Sequence, residues 1–293
     1  MNGLVLIDKP SGCTSHDVVN GWRKLAQNKR VGHLGTLDPM ATGLLVLVTG
    51  TATRLARFYE KAEKTYVAEI TFGIVSDTFD AYGQVTATGV APLSEPERVY
   101  AALDLFRGRF LQVPPPVSAK KVKGVPAYKL ARKQVPVELR PVEVEVKELQ
   151  VESISPEKLV VRVTCSAGTY LRSIAHDLGK QLGCGALLSA LRRTRVGEFD
   201  VARAKTLEEL ANLAAKGRLG EAVLPSAQLL TQFPAEYVDL STEAHIRQGR
   251  EFRTSPFVVR PGAPFVRALS QSGELIAIGE LRVPNVYHPS TVL

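Results

Sequence analysis

The stretch from 142 to 166 limits what this chain can fold into more than any other. Val142, Val144 and Val146 alternate with Glu143 and Glu145, and further on Val161 and Val163 share a face. A period of two sends successive side chains to opposite faces of an extended backbone, so each segment predicts a strand with one apolar and one wet face. Ser155-Pro156 between them is turn chemistry, which makes Val142–Ile154 and Lys158–Ser166 a hairpin. Thr65–Phe72 alternates in the same way, and Gly83–Thr88 is expected to return beside it. Gly3–Ile7 reads as a further strand, and the unbroken apolar run Gly43–Thr49 as a buried one.

Helical spacing is interleaved with these strands at uneven intervals. Ser15–Gln27 places Val18, Val19, Trp22 and Leu25 on one face, with Ser15 available as N-cap. A short helix is expected around Arg54–Tyr59, and longer ones over Pro96–Phe106, Tyr170–Leu182 and Leu207–Ala215. The combination predicts an α+β fold: a mixed, mostly antiparallel central sheet with flanking helices. Near Leu229–Pro234 helical patterning gives way to short apolar runs and turns at Gly249, Pro261-Gly262 and Ser272-Gly273, a small β-rich C-terminal module. Two domains, 1–232 and 233–293, fit a chain of 293 residues.

Charge separates the two. The net +8 lies wholly before residue ~230, because the stretch from Glu236 onward holds six Arg, no Lys and six acidic residues. Lys120, Lys121, Lys123, Lys129, Arg132, Lys133 and Arg140 crowd into Ser118–Arg140 against Glu138 alone, and Arg192, Arg193 and Arg195 form a second cluster. Such patches suit a polyanion, with salt-dependent binding to phosphates; a merely solvated face is the other reading. Three scattered cysteines, Cys13, Cys165 and Cys184, make neither a disulfide framework nor a zinc site and fit a reducing compartment. The N-terminus lacks the pattern of a signal peptide, and the longest uncharged apolar-looking run, Met40–Thr53, is 14 residues, short of the ~20 that span a bilayer. A cytoplasmic, membrane-free protein is expected.

Several chemistries can be set aside. There is no phosphate-loop motif, no His-Glu-x-x-His and no Gly-x-Ser-x-Gly, and the dispersed histidines predict no metal. His176-Asp177 is half of a metal dyad without further ligands and reads as a capping or surface pair. What stands out is Gly32-His33-Leu34-Gly35-Thr36-Leu37-Asp38-Pro39-Met40-Ala41-Thr42-Gly43, a glycine-rich loop with one carboxylate that runs into the buried Leu44–Val48. Residue chemistry leaves two roles open for Asp38: a turn cap or a reactive carboxylate.

That loop resembles the catalytic motif of the TruB-type pseudouridine synthases. Four more segments resemble this family's motifs in order: Leu6–Gly12 with Thr14-Ser15, Lys64-Thr65-Tyr66 with Gly73–Gly83, Cys165–Arg172, and Leu191–Thr194. Two departures are Leu34, where the family often has Thr, and Arg132-Lys133-Gln134-Val135, which lacks a usual Gly. The resemblance implies isomerisation of uridine to pseudouridine at position 55 in the T-arm of tRNA, with the base flipped out of its stack. It implies Asp38 as nucleophile, Arg172 as its partner, and Tyr66 as the ring stacked on the base and a general base. Tyr170 and Leu191 would line the uridine pocket, His33 would fill the vacated stack, Asp80 would link Arg172 or the loop, and Lys9 would touch phosphate or support the loop. The basic insertion, about 108–140, would face RNA, with Lys120, Lys121, Lys123, Lys129, Arg132, Lys133, Arg192 and Arg193 on its backbone. The segment beyond Pro234 resembles a PUA domain through Ile246–Phe252, Gly273–Leu281 and His288-Pro289; its removal is expected to leave turnover but weaken tRNA binding. No cofactor, guide RNA or obligatory protein partner is implied, and a monomer is expected. A binder without chemistry and a guide-dependent synthase of the archaeal and eukaryotic branch are the competing readings.

Overall fold

A computed structural model of the chain describes residues 1–89, 95–117, 139–260 and 262–293, and the backbone of 121–122 and 125–126. Its strands run in the order β1 (Gly3–Lys9), β2 (Val31–His33), β3 (Thr42–Thr49), β4 (Lys64–Phe72), β5 (Ile74–Ser76), β6 (Val85–Ala87) and β7 (Gly108–Gln112). After the two-residue β8 (Lys121–Val122) and β9 (Val125–Pro126) come β10 (Val142–Ile154), β11 (Lys158–Cys165), β12 (Ala186–Val196), β13 (Phe199–Asp200) and β14 (Val223–Pro225). The helices among them are α1 (Ser15–Ala26), α2 (Pro96–Asp104), α3 (Leu171–Leu182) and α4 (Leu207–Ala215), with a 3-10 helix over Gly50–Tyr59.

The main sheet has the order β14-β1-β3-β12-β4-β11-β10-β7, with β2 beside β3 and β13 beside β12. Every pair is antiparallel except β3 with β12. The expected α+β fold with a mostly antiparallel sheet is found, as is the β10–β11 hairpin. Hydropathy explains how the sheet is covered. In β1 and β3 both faces are apolar and both are buried. Val5, Ile7, Leu45 and Leu47 face a core shared with Val18, Val19 and Trp22 of α1, Ile174 and Leu178 of α3 and Leu210 of α4. Leu4, Leu6, Leu44, Val46 and Val48 face a second core shared with Leu55 of the 3-10 helix. In β4 burial alternates strictly, so that half of the sheet is covered on one side only.

Four expectations change. The N-cap of α1 is Thr14, in a reciprocal capping box with Asp17, which frees Ser15 for the task described below. Val85–Ala87 pairs with β5, not with β4, whose edges are taken by β11 and β12. β12 carries Arg192 and Arg193 through the middle of the sheet; its cationic sequence hides a strand that tertiary neighbours stabilise. Residues 108–112 are the edge strand beside β10, so an inserted segment begins only after Gln112.

A second sheet, of order β15-β17-β18-β19-β16, is built from β15 (Ala235–Tyr237), β16 (Phe252–Arg253), β17 (Phe265–Leu269), β18 (Leu275–Val283) and β19 (Val286–Val292), with α5 (Leu240–Arg247) against it. Its Leu269, Leu275 and Ile278 belong to the second core beneath the main sheet. Phe58 of the 3-10 helix lies edge-on to Phe233 and Phe265, with centroids 5.8 and 5.4 Å away. No helix among the described residues is long and apolar enough to cross a membrane.

Candidate active site

The loop between β2 and β3 has little regular structure, yet every carbonyl from Gly35 to Ala41 accepts a hydrogen bond. The Arg193 guanidinium donates to Gly35 O (3.0 Å) and Thr36 O (3.3 Å), as well as to Leu44 O (2.8 Å). Ser15 Oγ donates to Leu37 O (3.0 Å) and accepts from Leu37 N (2.8 Å). Asp38 O accepts from Ala41 N, Pro39 O from Gly12 N, and Met40 O from Ser11 Oγ. Lys9 Nζ donates to Ala41 O (2.6 Å), Pro39 O (3.2 Å) and Pro10 O (2.9 Å). A loop held at each peptide places its one carboxylate as firmly as a strand would. Gly43 closes it: φ is +96°, and a Cβ there would lie 2.3 Å from Arg193 O.

Asp38 projects from this loop toward the first turn of α3. Arg172 Nε lies 3.0 Å from Asp38 Oδ2, and Nη2 donates to Oδ1 at 3.2 Å. The guanidinium is held in turn by Thr78 O (3.1 Å), Val117 O (2.9 Å) and Asp80 Oδ2 (3.3 Å). Val117 directly follows the proline run 114–116, and before that run Ser173 Oγ donates to Val113 O at 2.8 Å. Arg172 is 5% exposed and Asp38 34%, so the cation is sunk and the carboxylate faces the opening. Burial pushes the Asp38 carboxyl above the usual carboxylate range; Arg172 opposes the rise, and Asp80 adds to it.

The opening is a cleft of about 300 Å³. It is lined by Asp38 and Arg172, by Tyr66 and Lys64 of β4, by Leu191 and Arg193 of β12, and by residues 167–171. Gln112 fixes Tyr170 by accepting from its N–H (2.8 Å) and donating to its carbonyl (3.1 Å). Burial pushes the Tyr66 phenol up, against the neighbouring Arg193 charge, and takes the Lys64 ammonium down to about 8. A carboxylate paired with a guanidinium, in a partly dry cleft walled by an aromatic ring, can attack an electrophilic carbon and later depart from it.

A family model described as TruB family pseudouridylate synthase (N terminal domain) matches residues 23–171, and one described as tRNA pseudouridylate synthase B C-terminal domain matches 172–231. The protein called tRNA pseudouridine synthase B from Solibacter usitatus is 51% identical over 293 residues, covering 100% of both chains. The chain belongs to the TruB family of pseudouridylate synthases. Another relative of the same description, from Thermobifida fusca, is 48% identical over 76% of this chain and 78% of its own. Among solved structures, a Cbf5-Nop10-Gar1 complex contains a chain 26% identical, with a TM-score of 0.71, covering 97% of this chain and 79% of that one. A chain of an H/ACA RNP bound to a substrate RNA is 23% identical (TM-score 0.72, 99% of this chain and 84% of that one) and shares the fold.

The cleft brings together Asp38, Tyr66, Tyr170, Arg172 and Leu191 from four separate stretches of this TruB-family sequence. The other expected residues lie in different surroundings. Arg193 is fully buried and spent on loop carbonyls, so it lines the cleft and cannot reach along an RNA backbone. Arg192 makes a two-pronged pair with Asp8 at 3.0 and 2.7 Å, leaving Arg195 the exposed cation of that cluster. Lys9, also fully buried, supports the loop rather than touching phosphate. Asp80 lies outside the cleft lining and contacts Arg172, one of the two links that the resemblance implies. His33 sits half-buried in β2 opposite Leu47, outside the cleft lining. Tyr66 lines the cleft, where burial favours the neutral form of its phenol. Lys120, Lys123, Lys129, Arg132 and Lys133 lie outside the described residues, and only the backbone of Lys121 is described.

Sequence reasoning missed Ser15, Lys64 and Gln112. Ser15 and Lys64 stand inside the quoted motifs; Gln112 had no signal beyond being a polar residue before the proline run. Among the described residues no group of three or more His, Cys, Asp or Glu could hold a metal ion.

Proposed function

We propose that this chain converts uridine to pseudouridine at position 55 in the T-arm of tRNA, by itself, with Asp38 as nucleophile. The observation that carries the reading is the Asp38–Arg172 pair lining, together with Tyr66, one cleft of about 300 Å³. The relatives' name, tRNA pseudouridine synthase B, supports tRNA as the substrate.

The reaction breaks the bond from N1 of uracil to C1′ of ribose, turns the base, and joins C5 to C1′. No group is gained or lost overall, so neither an electron carrier nor ATP is needed. A carboxylate that bonds to the substrate and departs again satisfies attack at C1′, attack at C6 and a route through a glycal alike. Arg172 keeps that carboxylate ionised and aimed against the burial that would neutralise it. Tyr66 stacks on the flipped base, and Tyr170 and Leu191 close the pocket around it. Extrusion costs a few kcal/mol, which phosphate contacts along the basic insertion offset.

Residues 1–232 form the catalytic unit and 233–293 a PUA-like auxiliary, working as a monomer in the cytoplasm. The test is purified protein on an unmodified T-arm stem-loop carrying C5-tritiated uridine. Tritium release without added guide RNA or protein is expected, with none from Asp38→Asn. Silence from wild type overturns the reading and points to a guide-dependent synthase. On the same stem-loop, Lys120→Gln and Lys121→Gln are each expected to weaken binding and to reduce the slope of log affinity against log salt by about one.

A further inference from the structure

Phe79 adopts a conformation its residue type avoids. Its φ is +64°, in the left-handed region where a bulky side chain crowds its own backbone. Such strain persists only where surroundings impose it. The two flanking residues are both partners of Arg172. Thr78 O accepts from Nη1 at 3.1 Å, and Asp80 Oδ2 lies 3.3 Å from the same nitrogen. The turn at Phe79 is what folds carbonyl and carboxylate back onto one atom. Backbone bonds hold it from below: Phe79 N donates to Ser76 O, and Phe79 O accepts from Leu188 N at 3.1 Å.

From above it is held by a ring. The Phe79 phenyl stacks on the His176 imidazole, centroids 3.8 Å apart and planes within 10°. His176 stands four residues after Arg172 on α3, one turn along the same face. The helix that carries the guanidinium therefore also grips the turn that carries its partners. His176 Nδ1 is buried without a hydrogen-bond partner among the described residues, so that atom makes no polar contact with the turn. Burial favours the neutral imidazole.

We infer that His176 is a positioning residue. By stacking on Phe79 it keeps the turn at 78–80 in register with Arg172, and through Arg172 it keeps Asp38 aimed into the cleft. The inference rests on the reading of Asp38 as the reacting carboxylate.

The experiment measures kcat and KM on the T-arm stem-loop with the full chain, well below each variant's melting temperature. His176→Ala is expected to lower kcat about tenfold, the scale on which a displaced catalytic group acts, with KM within twofold of wild type. His176→Phe, which keeps an aromatic face, is expected to restore kcat to within about threefold. Phe79→Leu keeps apolar bulk at a half-buried position and removes the stack from the other side. It is expected to match His176→Ala, and serves if that variant does not fold. Unchanged kcat in His176→Ala or Phe79→Leu, a loss confined to KM, or failure of the phenyl to rescue overturns the inference. Asp38→Asn run in parallel keeps the two readings apart: full turnover there removes the underlying assignment, whereas an inactive Asp38→Asn beside an unaffected Phe79→Leu removes only the role of His176.

Discussion

At the scale of single residues the cleft is a contest between burial and charge. Asp38 is raised by desolvation and by Asp80 and lowered by Arg172. Its ionised form is lost as pH falls through that raised value, so the acid limb of the kcat/KM profile should lie above that of an ordinary carboxylate. Arg172→Gln removes the opposing charge and should move the limb further up while lowering kcat; an unmoved limb would detach Arg172 from Asp38. Asp38→Asn should lower turnover by ~10³-fold or more, as loss of a covalent nucleophile does, and leave stem-loop binding in place. Lys64 runs the other way. Its ammonium titrates at about 8 rather than 10.5, so the cleft loses a cation as pH rises through that value. RNA affinity should then decline above pH ~8, and Lys64→Gln should flatten the decline. Stability has the opposite slope: between about 8 and 10.5 the unfolded chain holds the proton that folded Lys64 has released, so folding gains as pH rises.

At the scale of elements, the loop 35–41 is shaped by side chains from elsewhere: Lys9 at the end of β1, Ser15 in α1 and Arg193 in β12. Arg193→Met leaves three carbonyls without their donor and should cost about 3 kcal/mol in urea unfolding, with turnover falling further than stability alone explains. Gly43→Ala meets Arg193 O and an adverse φ together, and should destabilise by about 2 kcal/mol or more on the same measurement. Much of this was legible in the chain. The motif contained Asp38, and alternation located β4, β10 and β11. The cationic β12 was not legible, because Arg192 and Arg193 read as a surface patch until the strand's two neighbours are known. Nor was the N-cap of α1, since Thr14 and Ser15 are equally able to cap and only the call on Ser15 Oγ by Leu37 separates them.

At the scale of the whole molecule, the two sheets share the second of the main sheet's cores. Leu269, Leu275 and Ile278 pack with Leu4, Leu44 and Leu55, while Phe58 fits between Phe233 and Phe265. The neutral tail therefore closes part of the body's core. Truncation before Pro234 uncovers aliphatic side chains whose burial is worth ~1.5–3 kcal/mol apiece. It should lower the unfolding midpoint by several degrees as well as weaken tRNA binding. A truncated chain as stable as the full one would mean that the tail docks without contributing to the core.

The amino-acid sequence by itself determined the strands whose alternation or unbroken apolarity permits no other use, the division of charge between the body and the tail, and the loop that holds Asp38. Those are local properties, written in spacing and composition. Only the tertiary structure decided that Arg193 and Lys9 are buried anchors, that Asp80 serves Arg172, and that β12 runs parallel beside β3. A cation's role depends on which carbonyls and carboxylates surround it, and those neighbours come from distant parts of the chain.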